Sequence, residues 1–140
     1  MKYRLITTRW ETDKNRLSDI RRKVFIIEQN VPEELEWDED DLTCQHIIAL
    51  DNSGSAVATG RIKADGHIGR MAVLKACRNS GIGTSVLNEL ITIAKNRKLN
   101  AVYLHAQTSA IAFYEKQGFK ISSDEFMDAG IPHKTMQLVL

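Results

Sequence analysis

The sequence predicts a mixed α/β (α+β) fold, a twisted sheet flanked by helices, and three observations carry that prediction. Leu17, Ile20, Val24 and Ile27 recur at helical spacing, as do Val86, Leu87, Leu90, Ile91 and Ala94. Short β-prone runs lie around these two stripes, bounded by clusters of Asp, Asn, Ser and Gly. From Ile68 to Ala106, a strand, a glycine-containing loop, a helix and a strand follow one another, the order of a crossover between parallel strands.

Taken in order, Lys2 to Thr8 reads as a strand and Asp13 to Glu28 as a helix whose stripe faces the core. Pro32 ends helical structure. Gln45 to Leu50 is a short apolar run suited to a buried strand, and Asp51 to Ser55 a turn leading into a strand at Ala56 to Ala64. Asp65-Gly66 turns the chain into Ile68 to Val73, so three consecutive strands form an antiparallel meander. A helix over Thr84 to Arg97, a strand over Ala101 to Ala106 and a helix over Ser109 to Gln117 follow, the last stopped by Gly118. Phe119 to Ser122 and Lys134 to Leu140 complete the sheet, separated by a loop containing Gly130 and Pro132.

Composition narrows the function. With 140 residues, 43% hydrophobic and 26% charged, the chain (1–140) has the size and balance of a single globular domain. No apolar run approaches the roughly 20 residues of a spanning helix, and Met1 to Thr12 lacks the apolar core of a signal peptide, so the expected location is cytoplasmic, away from membranes. Cys44 and Cys77 lie apart and read as free thiols, with no metal-ligand spacing around them. Dispersed basic residues and 6% aromatics do not suggest a nucleic-acid surface.

The net charge of +1 hides an asymmetry. Glu33, Glu34, Glu36, Asp38, Glu39, Asp40 and Asp41 place 7 of the 18 acidic residues in one short window, leaving 19 basic against 11 acidic residues elsewhere, a net +8. The run reads as a solvated loop; the alternatives are a wall that meets a cationic substrate and a docking surface for a basic partner. Its spacing is not that of a calcium loop.

The stretch Arg78-Asn79-Ser80-Gly81-Ile82-Gly83 joins strand to helix, where glycines and a helix N-terminus can present backbone N–H groups to phosphate. It lacks the Gly-Lys-Ser/Thr ending of a Walker loop and the three-glycine spacing of a dinucleotide fingerprint. Read with Gly69-Arg70-Met71-Ala72-Val73 before it and Ala110 to Phe119 (AIAFYEKQGF) after it, it resembles the acetyl-CoA-binding half of the GNAT N-acetyltransferases. Val24 to Pro32 (VFIIEQNVP), the acidic run around Trp37 and Gly130-Ile131-Pro132-His133 are similar to an ElaA-like or YjcF-like subgroup of that family.

The resemblance implies a GNAT acyl-CoA N-acyltransferase fold and direct acetyl transfer from acetyl-CoA to a primary amine of a small molecule or peptide, without metal. It places the pantetheine arm against backbone groups of Met71, Ala72 and Val73, and the pyrophosphate against the amides of Arg78, Asn79, Ser80, Gly81, Ile82, Gly83 and Thr84. Arg78 then adds a charge-assisted contact or remains a solvated loop charge. Tyr114 matches the tyrosine that protonates the departing thiolate, its alternative being a core aromatic. Val73 N–H is a candidate oxyanion donor. Gln107 stands where many members have asparagine and serves pantetheine, a water or a strand end.

Gly69 replaces the glutamate that many members use to accept the amine proton. Glu28, His105 and His133 are the candidates for that base, with a surface charge, a core histidine and a turn residue as their structural alternatives, and a water chain as substitute. A Cys77 acyl-enzyme lacks a neighbouring base in sequence. A homodimer stays open. Two other classes remain beside the enzyme: an acyl-CoA sensor and an interaction module using the acidic 33–41 segment.

Overall fold

The computed structural model describes residues 2–140. Strands β1 (Tyr3–Thr8), β2 (Gln45–Asp51), β3 (Ala56–Ile62) and β4 (Ile68–Val73) form an antiparallel sheet in that order. The meander of three strands is as expected, and the N-terminal strand adds to its β2 edge. In β2 the alternation buries both faces: Ile47 and Ala49 join the main core, while Ile48 and Leu50 pack with Leu17 of the first helix.

That first helix differs from the reading above. Helix α1 spans Trp10–Arg21, with Asp13 kinked out of helical geometry at φ −126°, ψ 27°, and continues as a π-helical stretch over Arg22–Glu28. Leu17, Ile20 and Val24 are buried as the periodicity requires, but Ile27 is 67% exposed. The wider π turn rotates residues beyond Val24 off the face that a 3.6-residue period assigns to them.

The acidic window also departs from expectation. Glu33, Glu34 and Glu39 are exposed as a solvated run would be, but the segment is a folded strap, a short helix α2 (Glu33–Glu36) and a 3₁₀ turn (Glu39–Leu42), with Glu36 and Asp41 buried at 3% and 1% exposure. Arg21, itself 1% exposed, donates through Nε to Glu36 Oε2 at 2.7 Å and through Nη1 to Asp41 Oδ1 at 2.6 Å. Arg61 of β3 donates to Asp38 and Asp41 at 2.7 and 2.8 Å. Composition counts the acids without the arginines that the fold brings to them from other elements.

Helix α3 (Ile82–Asn96) begins two residues before the predicted Thr84 and packs Val86, Leu87, Leu90 and Ala94 on the opposite face of the first sheet from α1. Gly60 of β3 sits under it; a Cβ there would lie 2.7 Å from Met71 Sδ and 2.9 Å from Leu90 Cδ1. A second sheet contains β5 (Ala101–Gln107), β6 (Lys120–Ile121), β7 (Phe126–Asp128) and β8 (Ile131–Val139), with β8 antiparallel to the other three. Between β5 and β6, a 3₁₀ turn (Thr108–Ala110) leads to the short helix α4 (Ile111–Glu115).

Two terminal assignments change. The pair β7 and β8 is a hairpin turned through Ala129 and Gly130, both at positive φ, so the last strand begins at Ile131 and Pro132 lies inside it. Pro132 is tolerated because the β5 pairing ends at His133, leaving no ladder bond there for it to donate. Among the described residues, no helix is long and apolar enough to cross a membrane, and no group of three or more His, Cys, Asp or Glu is placed to hold a metal ion.

Candidate active site

The two sheets meet at one point and then part. Among the described residues, a single parallel bridge joins His67, just before β4, to Tyr103 of β5, supported by Tyr103 N–H donating to Gly66 C=O at 3.2 Å. The expected parallel pairing is therefore confined to this end. Gly66 makes the close approach feasible: its φ is +95°, and a Cβ would lie 2.8 Å from Ala101 C=O. At the other end, a bulge sets two residues of β4, Arg70 and Met71, opposite Gly60, with Arg70 at φ 51°. A bulge bends its strand and increases twist, which turns β4 away from β5.

The gap between them is a cavity of about 800 Å³. Met71, Ala72 and Val73 line it from β4. Leu74 N–H bonds to Val57 C=O on the β3 side, so alternation directs the Val73 N–H and C=O into the gap. Arg78, Asn79, Gly81, Ile82, Gly83 and Thr84 line the helix end of the cavity, with Ser80 turned to donate to Cys77 C=O at 2.5 Å. Gly81 caps α3 at φ 85°, and a Cβ there would meet nothing within 4 Å. The first bond of α3 is Ser85 N–H to Gly81 C=O, which leaves the amides of Ile82, Gly83 and Thr84 without intrahelical acceptors, at the positive end of a 15-residue helix.

Tyr114 lines the same cavity at 8% exposure, between Phe113 and Phe119 at ring distances of 5.0 and 5.9 Å. Burial pushes its phenol up to about 12, so it carries its proton at neutral pH. Both readings of this residue, core aromatic and cavity hydroxyl, hold in one side chain. Gln107 Nε2 donates to Gln29 Oε1 at 2.8 Å, a bond across the cavity that nothing in the spacing of these residues announced.

The base candidates separate. Gly69 lines the cavity with open space at its missing side chain. Glu28 receives Arg78 Nη1 and Nη2 at 2.7 and 2.6 Å, and that pairing holds its carboxyl below the ordinary range. His105 faces the cavity and shares a 3.0 Å hydrogen bond with Thr135 Oγ1; burial lowers its pKa. His133 is buried, with Nδ1 2.7 Å from Ile131 C=O. Sequence reasoning missed His67, which also lines the cavity, stacked on Tyr103 at 4.6 Å and edge-on to His105 at 4.8 Å. Burial and the neighbouring His105 bring it to about 4, a neutral imidazole at physiological pH. Cys44 and Cys77 are both buried free thiols.

Beside the β4 bulge the arginine network supplies part of the wall. Leu35, Glu36, Asp38, Arg61 and Arg70 reach the cavity. Arg70 donates to Glu36 C=O at 3.0 Å and to Asp38 Oδ2 at 3.2 Å; its Nε lies 3.1 Å from Glu36 Oε2 without the alignment of a hydrogen bond. Burial raises the Glu36 pKa despite its arginines, whereas for Asp38 burial is outweighed by Arg61 and Arg70, which bring it down to about 2. Three arginines balance three carboxylates, so this wall is polar and close to neutral.

The profile of the Acetyltransferase (GNAT) domain matches residues 12–140. The chain belongs to the GNAT acetyltransferase family. The uncharacterized N-acetyltransferase YjcF of Bacillus subtilis is 39% identical over 84% of this chain and 86% of its own length. The crystal structure of Escherichia coli ElaA superposes with a TM-score of 0.87 at 27% identity, covering 97% of this chain and 99% of that one. The PaiA N-acetyltransferase of Thermoplasma acidophilum, determined in complex with coenzyme A, shares the fold at a TM-score of 0.76 and 17% identity over the full length of both chains. The GNAT member described here is thus an acyl-CoA-dependent N-acyltransferase by family, and its subgroup resemblance is borne out.

Proposed function

We propose that this GNAT protein transfers an acetyl group from acetyl-CoA to a primary amine of a small molecule or peptide, directly, in a ternary complex, with 1–140 acting as one cytoplasmic domain. The observation that carries the reading is a continuous cavity lined at one end by unpaired helix-end amides and a proton-bearing Tyr114, and at the other by His67, His105 and His133. Amides of Asn79 to Thr84 hold the diphosphate, with Gly81 leaving room for it. Backbone groups of Met71 and Val73 pair with the pantetheine arm as an added strand. Val73 N–H faces the oxygen that becomes negative when the amine attacks, and Tyr114 gives its proton to the leaving thiolate.

The amine proton goes to the histidine side of the cleft. His105 is favoured over Glu28, whose carboxylate is tied to Arg78, and over His133, whose Nδ1 lies against a backbone carbonyl. The near-neutral acceptor wall supports an amine selected by shape and hydrogen bonding more than by a strong negative field.

Calorimetry with CoA and a screen of amines by thiol release test this reading. CoA is expected to bind, and Gly81→Asp to weaken it at least about tenfold by placing a carboxylate among the phosphate-facing amides. Tyr114→Phe should leave CoA affinity in place and lower turnover about a hundredfold. CoA binding without amine-dependent thiol release would favour an acyl-CoA sensor; no CoA binding at all would remove the proposal.

A further inference from the structure

Arg78 is fully engaged in a way that the proposed reaction does not need. Its Nε donates to Val73 C=O at 3.0 Å, and its two terminal nitrogens grip both oxygens of Glu28, 50 residues away, at 2.7 and 2.6 Å. We infer that Glu28 is an internal competitor for the donor's diphosphate: it holds Arg78 until the donor binds, and the diphosphate takes its place. This rests on the acyl-CoA reading above.

Three features favour competitor over fixed support. The planar guanidinium fork meets carboxylate and phosphate in the same bidentate geometry, so the edge that Glu28 occupies is the one that a phosphate would use. The pair cancels the charge with which Arg78 would attract an anion, and adds a carboxylate that repels one. Its side chains are 35% and 33% exposed, so the pair exchanges at little cost, in contrast to Arg21 with Glu36 at 1% and 4%. Local structure allows the exchange as well. Glu28 is the last residue of the π-helical stretch, and Asn30 follows at φ 57°, so the chain leaves the helix at this point.

The test is a set of dissociation constants for CoA by calorimetry, and for pantetheine, which lacks the diphosphate, by NMR titration. Wild type, Glu28→Gln, Arg78→Gln and the double variant are compared. Glu28→Gln is expected to bind CoA about three- to tenfold more tightly and pantetheine as wild type does. Arg78→Gln should weaken CoA, and adding Glu28→Gln to it should change little, because the competition acts through Arg78. Unchanged or weaker CoA binding by Glu28→Gln would overturn the inference and make Glu28 a support. So would an equal gain for pantetheine, or a gain that persists without Arg78. CoA binding to wild type with any of these results removes the inference alone; failure of every variant to bind CoA removes the acyl-CoA reading with it.

Discussion

The two ends of the cavity are built by opposite means. The end formed by β4, α3 and α4 presents backbone amides and a buried tyrosine, and its support is apolar packing by residues such as Ile82, Val86 and Phe119. The other end rests on Arg21, Arg61 and Arg70 against Glu36, Asp38 and Asp41, drawn from four separate stretches of chain. A backbone site is made by local geometry, so it tolerates side-chain change outside its glycines. A buried charge network is cooperative: each charge is acceptable only while its partners remain.

Breaking the network should therefore have the largest effect. Arg21→Ala leaves Glu36 and Asp41 buried without their main donor and is expected to cost about 3 to 5 kcal/mol in urea unfolding. A loss under about 1 kcal/mol would mean that water replaces the arginine and the comparison is wrong. Gly66→Ala strikes where the two halves touch. A side chain at φ +95° with its Cβ 2.8 Å from a backbone oxygen should cost about 2 to 3 kcal/mol and disturb the β4 to β5 bridge, read as line broadening around Tyr103.

Acid sharpens the contrast within the network itself. Asp38 falls from its ordinary 3.8 to about 2 on folding, so it stabilises the fold above pH 3.8, and that contribution disappears as pH falls through 2. The amount is about 2 kcal/mol, discounted for partial exposure. Glu36 shifts upward and so opposes folding at neutral pH, with that opposition relieved on acidification. Unfolding free energies measured from pH 6 to 2 should show wild type losing stability below pH 4, and Asp38→Asn starting lower but with a flatter curve. The smallest effect belongs to the bond spanning the cleft: Gln29→Ala should cost about 1 kcal/mol through loss of the Gln107 partner, with CoA binding altered less than twofold.

Local regularities were legible from residues alone. The stripes at Leu17, Ile20, Val24 and at Val86, Leu87, Leu90 mark helices because neighbours at three and four positions share a face, and the turns at Asp51 to Ser55 and Asp65-Gly66 define the meander. Gly81 stood out because a glycine where a loop meets a helix lets a ligand approach the backbone N–H groups, and the structure adds that its φ is 85°. The end of the first helix was misread at Ile27 because periodicity assumes one helical pitch, and a π turn changes it. The short β7 was missed because three residues with two exposed carry no pattern.

The sequence by itself determined the meander, the two long helices and the family, since each depends on residues near one another in the chain. Only the tertiary structure decided what the charges do. Glu28 meets Arg78 across 50 residues, Gln29 meets Gln107 across 78, and the acidic window meets arginines of α1, β3 and β4. Electrostatic pairing depends on distance in space, and composition records no distances. Glu36, Asp38 and Asp41 of that run are thus bound to arginines beside the cleft, and this side of it is closer to neutral than the acids alone suggest.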